Sequence, residues 1–154
     1  LALGARFVGE HGDARLARAA RDALARIEAV LPADLRDRLD EAGLWIGPSP
    51  TRAPDPVDAA IVRRAIREER KLGLAYADAG GRTSRRTVWP IALAFFERVR
   101  VVVAWCELRD GFRHFRLDRM SEASLLDERF PRRRRALVRD WKAAEGIAAT
   151  ATRS

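Results

Sequence analysis

The chain has 154 residues, of which 47% are hydrophobic and 34% are charged, a balance that predicts one globular domain with a helical appendage and leaves too little sequence for two full domains. No apolar run approaches the roughly 18 residues of a membrane helix, so we expect no membrane partner. The single cysteine, Cys106, cannot form a disulfide within the chain, and the sequence does not open on a signal peptide, so we expect a reducing cytoplasm.

The charge of the chain is strongly basic. Lys and Arg number 30 against 22 Asp and Glu, a formal net charge of +8, and every cation except Lys71 and Lys142 is an arginine. The planar guanidinium fork matches phosphate and carboxylate groups, so this bias favours an anionic partner. A GC-rich genome would produce the same preference for arginine, and the composition leaves that alternative open.

Residues 1–46 are predicted to form a helical connector. Asp13 is a candidate N-cap, and a second short helix is expected at residues 33–42 with Gly43 as its stop. Because the chain opens with Leu1 inside an apolar segment, we expect it to be a piece of a longer protein. Behind Asp13, apolar residues recur at the three- and four-residue steps of an amphipathic helix that ends near Pro32: Leu16, Ala20, Leu24, Ile27 and Leu31.

Residues 47–56 are rich in proline and predict a linker, after which a domain begins. Asp55 is a candidate cap with Pro56 at the first helical position, and the helix that they start should run to about Glu69.

The period of the apolar residues then changes from helical to extended. Leu72 to Tyr76 and Thr83 to Trp89 predict a hairpin around the turn at residues 78–82, and Val99 to Leu108, apolar on both faces, predicts a central strand. A tight turn at residues 109–111 leads into a returning strand over 112–120. One face of that strand should carry Phe115 and Leu117 with Arg113 and Arg119, and the other Phe112 with His114, Arg116 and Asp118.

These elements predict an α+β fold in which a small, strongly bent antiparallel β-sheet is closed as an Sm- or SH3-like barrel behind a leading helix. A last helix is expected through Leu137 and Trp141 to about Glu145, with a frayed tail from Gly146. Before it, the run Arg132 to Arg135 favours either a nucleic acid or simply a solvated helix start.

Four pieces of the sequence occur in an order and spacing that resemble the WYL family of bacterial transcriptional regulators. They are IVRRAIREERKLGLAY (residues 61–76), GGRTSRRTVWPIAL (80–93), WCELR (105–109) and FRHFRLDR (112–119). The resemblance covers about residues 57–130 and extends to the connector helices before them. Where the family has its Trp-Tyr-Leu triplet, this chain has Arg100, Val101 and Val102.

The resemblance implies a WYL domain that binds an effector, described for relatives as a nucleotide or oligonucleotide, behind an N-terminal winged helix-turn-helix. We expect the helix-turn-helix to be absent from this sequence, so that DNA binding would belong to the parent protein, and we expect a homodimer. The family's ligand-facing positions match Tyr76, Ser84, Arg86, Arg109, Arg113, His114, Arg116 and Arg119.

Several guanidinium groups on one concave face would bind a phosphate through charge-assisted hydrogen bonds. In the alternative interpretation these arginines pair locally with Glu107, Asp110 and Asp118. Tyr76 offers a ring for base stacking, although packing is the competing role. We expect packing in the core to be the main role of Cys106 and of the aromatic residues Trp89, Trp105, Phe112 and Phe115.

Nothing in the sequence predicts an enzyme, a cofactor or a metal site. His11 and His114 are the only histidines, and neither has metal-ligand spacing or an identifiable nucleophile beside it. Two other functions compete with effector sensing. One is an Sm-like module that binds single-stranded nucleic acid through the run at residues 132–135, and the other is a dimerisation domain whose seam is the helix from Leu16 to Leu31.

Overall fold

The computed structural model describes residues 2–32, 55–96 and 99–147. They belong to two compact units, one that contains the N-terminal helices and one that contains a β-sheet with two further helices. None of the helices in these ranges has the length and apolarity needed to span a bilayer. The helix predicted at residues 33–42 and most of the predicted linker at 47–56 lie outside the described residues.

The N-terminal unit contains the predicted amphipathic helix and a shorter helix before it. The Asp13 carboxylate accepts hydrogen bonds from the backbone N–H groups of Arg15 (3.1 Å) and Leu16 (3.2 Å), which the first helical turn leaves without intrahelical partners. The predicted cap is therefore confirmed, and the helix ends before Pro32 as expected. The two helices are α1 (Ala2–His11) and α2 (Ala14–Val30).

The helix that leads the second unit, α3 (Ala59–Glu68), starts later than predicted. Its N-cap is Asp58, whose carboxylate accepts from the backbone N–H of Ala60 at 2.8 Å. The predicted cap, Asp55, is wrong because its carboxylate is engaged elsewhere: it forms a buried ion pair with Arg100 at 2.7 Å, with side-chain exposures of 4% for Asp55 and 11% for Arg100. The arginine that replaces the first residue of the family triplet thus has a structural partner.

The second unit is built on a five-stranded sheet in the order β4-β3-β2-β1-β5. The predicted hairpin is confirmed, with Leu72 opposite Val88 and Tyr76 opposite Ser84. The predicted central strand is also confirmed, since Val102 and Val103, which point to opposite faces, are both buried. The strands are β1 (Arg70–Ala77), β2 (Thr83–Phe95), β3 (Arg100–Cys106), β4 (Gly111–Arg116) and β5 (Met120–Arg129).

The returning strand predicted over residues 112–120 is in fact two elements. A 3-10 turn at Leu117–Arg119 ends β4, and the buried Leu117 side chain anchors this turn in the core. The chain then enters β5, which the sequence pattern did not reveal. Most β5 side chains are partly or fully exposed, so the strand lacks the apolar alternation that marks a half-buried strand.

The sheet is open, because β4 and β5 are its edges and no ladder joins them among the described residues. The predicted closed barrel is therefore wrong. The 3-10 turn between β4 and β5 does not reverse the chain, so β5 does not pair with β4 and pairs with β1 at the other edge of the sheet instead. The chain from the end of β4 to the start of β5 is four Cα steps long and spans at most about 15 Å. The two edges of a flat five-stranded sheet would be roughly 19 Å apart, so the sheet must be bent, as predicted.

Each face of the sheet buries its own core. One face, here called the inner face, packs Leu72, Val88, Val102 and Phe115 against Val62 and other apolar residues of α3. The opposite or outer face packs Ile91 and Val103 against Leu137 of the predicted C-terminal helix, α4 (Arg134–Ala144). Sequestering apolar surface on both faces is the main source of stability for a domain of this size.

Candidate functional site

The β1–β2 hairpin places Tyr76, Ser84 and Arg86 on the inner face. Residues directly opposite each other in an antiparallel pair point to the same side of the sheet, and the pairs here are Tyr76 with Ser84 and Leu74 with Arg86. Leu74 is buried in the inner core, which fixes the side. The Tyr76 ring packs edge-on against Phe115, with a centroid distance of 5.1 Å.

Arg86 is held by its neighbours but is not saturated by them. Its Nε donates to the Ser84 Oγ at 2.9 Å, and the Ser84 hydroxyl in turn donates to the Tyr76 carbonyl at 3.4 Å. Its Nη1 is buried and has no hydrogen-bond acceptor within the described parts of the chain. A buried donor left unsatisfied costs about 1–3 kcal/mol, so this atom is a candidate donor to an acceptor other than the described residues.

Arg116 lies at the end of β4 and already has an anionic partner. Its Nε and Nη2 donate to the two carboxylate oxygens of Asp118 at 3.0 and 2.7 Å. This hydrogen-bonded pair raises the pKa of Arg116 and lowers the pKa of Asp118, and the nearby Tyr76 adds to the rise for Arg116. In the β4 register Arg116 is opposite Val101 and alternates with the inner-face Phe115. It directly follows Phe115, whose ring packs on Tyr76, so Arg116 lies near Tyr76 at the edge of the inner-face group.

Two other predicted residues lie around this group. Arg113 is opposite the buried Ala104, which places it on the inner face, and its exposed side chain donates from Nη1 to the Phe112 carbonyl at 2.6 Å. Arg119 lies in the 3-10 turn, and its positive charge contributes to the lowered pKa of Asp118.

His114 and Arg109 are separated from the inner-face group. His114 is opposite Val103, a residue of the outer core, and its ring lies edge-on to Trp141 of α4 at 6.3 Å. Arg109 is exposed in the 3-10 turn at Glu107–Arg109, which follows β3. The structure therefore brings Tyr76, Ser84 and Arg86 together, places Arg113 on the same face and Arg116 near Tyr76, and leaves these two apart.

Three of the four arginines in the run at residues 132–135, which spans the start of α4, have contacts within the domain. Arg132 pairs with Asp140, Arg133 lies 3.9 Å from Glu69, and Arg134 donates to the Ile91 carbonyl at 2.8 Å. A basic track for nucleic acid needs cations that face solvent without partners. These contacts favour the structural role for the run.

Cys106 and Phe115 are buried as expected from the sequence, whereas Trp89, Trp105 and Phe112 are only half-buried and pack against one another. Trp89 stacks on Trp105 at 5.9 Å, and Phe112 packs edge-on against Trp105 at 5.1 Å. Cys106 is buried as a free thiol. Within the described ranges no group of three or more His, Cys, Asp or Glu side chains could hold a metal ion.

The sequence did not predict a groove on the outer face. One wall of this groove is β5, a strand that the sequence did not predict either. Gly73 and Ala75 of β1 form its floor between Arg85 of β2 and Glu122 of β5, which lie 3.5 Å apart. One sequence feature could have indicated this groove. Gly73 and Ala75 alternate with the buried Leu72 and Leu74, so the opposite face of β1 has only small side chains.

The fold and the site together define a small α+β domain with arginines on the inner face of an open, bent sheet. A family model for the WYL domain matches residues 59–125. This match confirms over residues 59–125 the resemblance to the WYL domain seen in the sequence.

Among solved structures, the chain is similar to proteasome accessory factor B/C (PafBC) of Arthrobacter aurescens. The sequence identity is 30%, the TM-score is 0.47, and the match covers 53% of this chain and 13% of that chain. This chain thus spans a small part of the length of that protein.

Proposed function

We propose that this WYL domain is the effector-sensing part of a transcriptional regulator and that it binds a phosphate-bearing ligand on the inner face around Arg86. The observation that carries the proposal is the buried Arg86 Nη1 without an acceptor among the described residues. A phosphate oxygen would satisfy that donor, and the hydrogen bond from Nε to Ser84 presets the plane of the guanidinium group.

The neighbours of Arg86 support a nucleotide or oligonucleotide as the ligand class. Arg86 and Arg116 are both near Tyr76, so an aromatic base could contact its ring while phosphates reach the arginines. The +8 net charge would attract such a ligand from a distance.

The regulatory part of the proposal rests on the family. Effector occupancy would change DNA binding by a helix-turn-helix elsewhere in the parent protein, as a homodimer in the cytoplasm. We propose that the domain binds its ligand without transforming it, because the described residues of the site are arginines, a serine and a tyrosine, a set that lacks a general base to activate a nucleophile.

Thermal unfolding tests the proposal, because a ligand that binds the folded state raises the melting temperature by mass action. We expect a 5′-phosphorylated thymidine dinucleotide to raise the melting temperature of the 154-residue chain. Arg86→Ala should abolish the shift, and joint replacement of Arg113 and Arg116 by Ala should do the same. The matched control is Arg85→Ala, which removes the neighbouring arginine from the outer face.

Two results would contradict the proposal. One is that nucleotides, cyclic dinucleotides and short oligonucleotides all leave the melting temperature unchanged at high concentration. The other is that Arg85→Ala and Arg86→Ala reduce the shift equally, which would mean that only overall charge matters. Affinity that grows with strand length and falls steeply with salt would instead favour a single-strand binding module.

A further inference from the structure

Arg86 and Arg116, the two predicted arginines near Tyr76, differ in how fully their donors are used. Arg86 keeps a buried Nη1 without an acceptor in the described part of the chain, whereas Arg116 directs Nε and Nη2 at both oxygens of Asp118. One of the two edges through which Arg116 could bind a phosphate bidentately, Nε with Nη2, is therefore already filled by a carboxylate of the same domain.

The position of Asp118 makes this contact local and reversible. Asp118 lies in the 3-10 turn two residues after Arg116, and the side chains of the pair are 40% and 44% exposed. The buried Leu117 between them anchors the turn in the inner core. Separating the two side chains thus requires rotamer changes at the surface and leaves the backbone of the turn in place.

We propose that Asp118 is an internal competitor of the ligand: its carboxylate occupies the Arg116 guanidinium in the free domain, and a phosphate group must displace it for binding. This inference rests on the proposed function, because it concerns the same ligand site.

The competition determines which ligands bind well. A ligand with one anionic group can satisfy Arg86 and leave the Arg116–Asp118 pair intact. A second phosphate, with up to two negative charges and three acceptor oxygens, competes better for the guanidinium than the singly charged carboxylate does. Asp118 therefore favours ligands with two phosphate groups over ligands with two carboxylates.

Titration calorimetry on the 154-residue chain with the same thymidine dinucleotide tests whether Asp118 competes with the ligand. Asp118→Asn removes the negative charge and keeps the size of the side chain. An exposed ion pair contributes little free energy, so removing the Arg116–Asp118 pair should lower the Kd by only about threefold to fivefold. The matched control is Asp127→Asn, since Asp127 is an exposed residue of β5 that also pairs with an arginine, Arg70, at 2.7 Å. It should leave the Kd unchanged.

A double-mutant cycle assigns the effect to Arg116. On an Arg116→Gln background, Asp118→Asn should no longer lower the Kd, because no guanidinium remains to be released. Melting temperatures of all variants without ligand establish that each is folded.

The outcomes separate this inference from the function that it assumes. Suppose that the chain binds the dinucleotide and that Arg86→Ala abolishes binding. If Asp118→Asn then leaves the Kd unchanged or raises it, the competitor role of Asp118 is overturned while the proposed function stands. A higher Kd would make Asp118 a positioning residue for Arg116. An equal gain in Asp127→Asn also overturns it, since only net charge would then matter. If neither the chain nor Asp118→Asn binds, both proposals fail.

Discussion

At the scale of single residues, the proposed role of Arg86 sets ligand binding against stability. Its Nη1 is buried without an acceptor among the described residues, although each buried donor normally has one. The proposed ligand gives this atom its acceptor, so the free domain is destabilised by the same group that binding requires.

Replacing Arg86 with Met tests this conflict. Met keeps the aliphatic length of the side chain and removes the unsatisfied donor, so we expect the free domain to become more stable by about 1 kcal/mol while the dinucleotide no longer raises the melting temperature. Chemical denaturation measures the first effect and thermal unfolding with ligand measures the second. Arg85→Met is the control on the outer face. A free Arg86→Met domain less stable than the parent would show that the guanidinium contributes to the fold.

At the scale of the elements, Lys71 connects parts of the sheet that are distant in sequence. Its Nζ lies 2.8 Å from a carboxylate oxygen of Glu107, after β3, and 2.7 Å from one of Glu128, in β5. Glu107 also accepts a hydrogen bond from Trp89 Nε1 at 2.7 Å. The hydrogen bond from Lys71, followed by that from Trp89, lowers the pKa of Glu107, whereas those to Glu107 and Glu128 raise the pKa of Lys71.

Glu107→Gln should therefore make stability less dependent on pH. A carboxylate with a lowered pKa stabilises the fold above its unfolded pKa of about 4.3, and this contribution is lost as the pH falls through the lower, folded pKa. We expect the melting temperature of Glu107→Gln to lie below that of the parent at pH 7 and to approach it near pH 3. Glu122→Gln, whose partner Arg85 is exposed, serves as the control. A gap between parent and Glu107→Gln that stays constant with pH would contradict this role.

The elements also show what a sequence can reveal. The alternation of Leu72, Leu74 and Tyr76 predicted β1 because one face of that strand is buried, and the hairpin pairing then placed Ser84 and Arg86 on the same side as Tyr76. In contrast, β5 was missed because its polar, exposed residues carry no such alternation.

Local competition for side chains explains the remaining errors. Asp55 and Asp58 are equally good caps by residue type, and only the buried contact with Arg100, far away in sequence, shows which of them is engaged elsewhere. His114 and Arg113 are neighbours, and the predicted site included both. Alternation along β4 sends them to opposite faces, so only Arg113 shares a face with Arg86.

At the scale of the whole molecule, the proposed homodimer would use α2. Its apolar positions Leu16, Leu24 and Ile27 are only half-buried, and Val30 is 81% exposed, so this helix has apolar surface available for a second copy. The capped, regular helix would present that surface as a continuous stripe.

Sedimentation of the full chain measures this association. We expect a species with the mass of two 17.3-kDa chains, and Ile27→Glu should convert it to a monomer by placing a charge in the seam. Ala25→Glu, on the exposed side of the helix, should leave the dimer intact. A parent chain that sediments as a monomer at every concentration, or a dimer that persists in Ile27→Glu, would exclude α2 as the seam.

The pairing of β1 has a consequence for the order of folding. β1 joins β2 through a short turn, but it joins β5 only after the chain has passed through every other strand. Closing the longer loop costs more entropy, so the hairpin can form early and the β1–β5 ladder late. That late step brings Met120 beside Tyr76 and positions the turn that holds Asp118. Arg86 and its serine thus belong to the early part of the domain and the Arg116 side of the site to the late part, so a ligand that bridges them would slow the first step of unfolding.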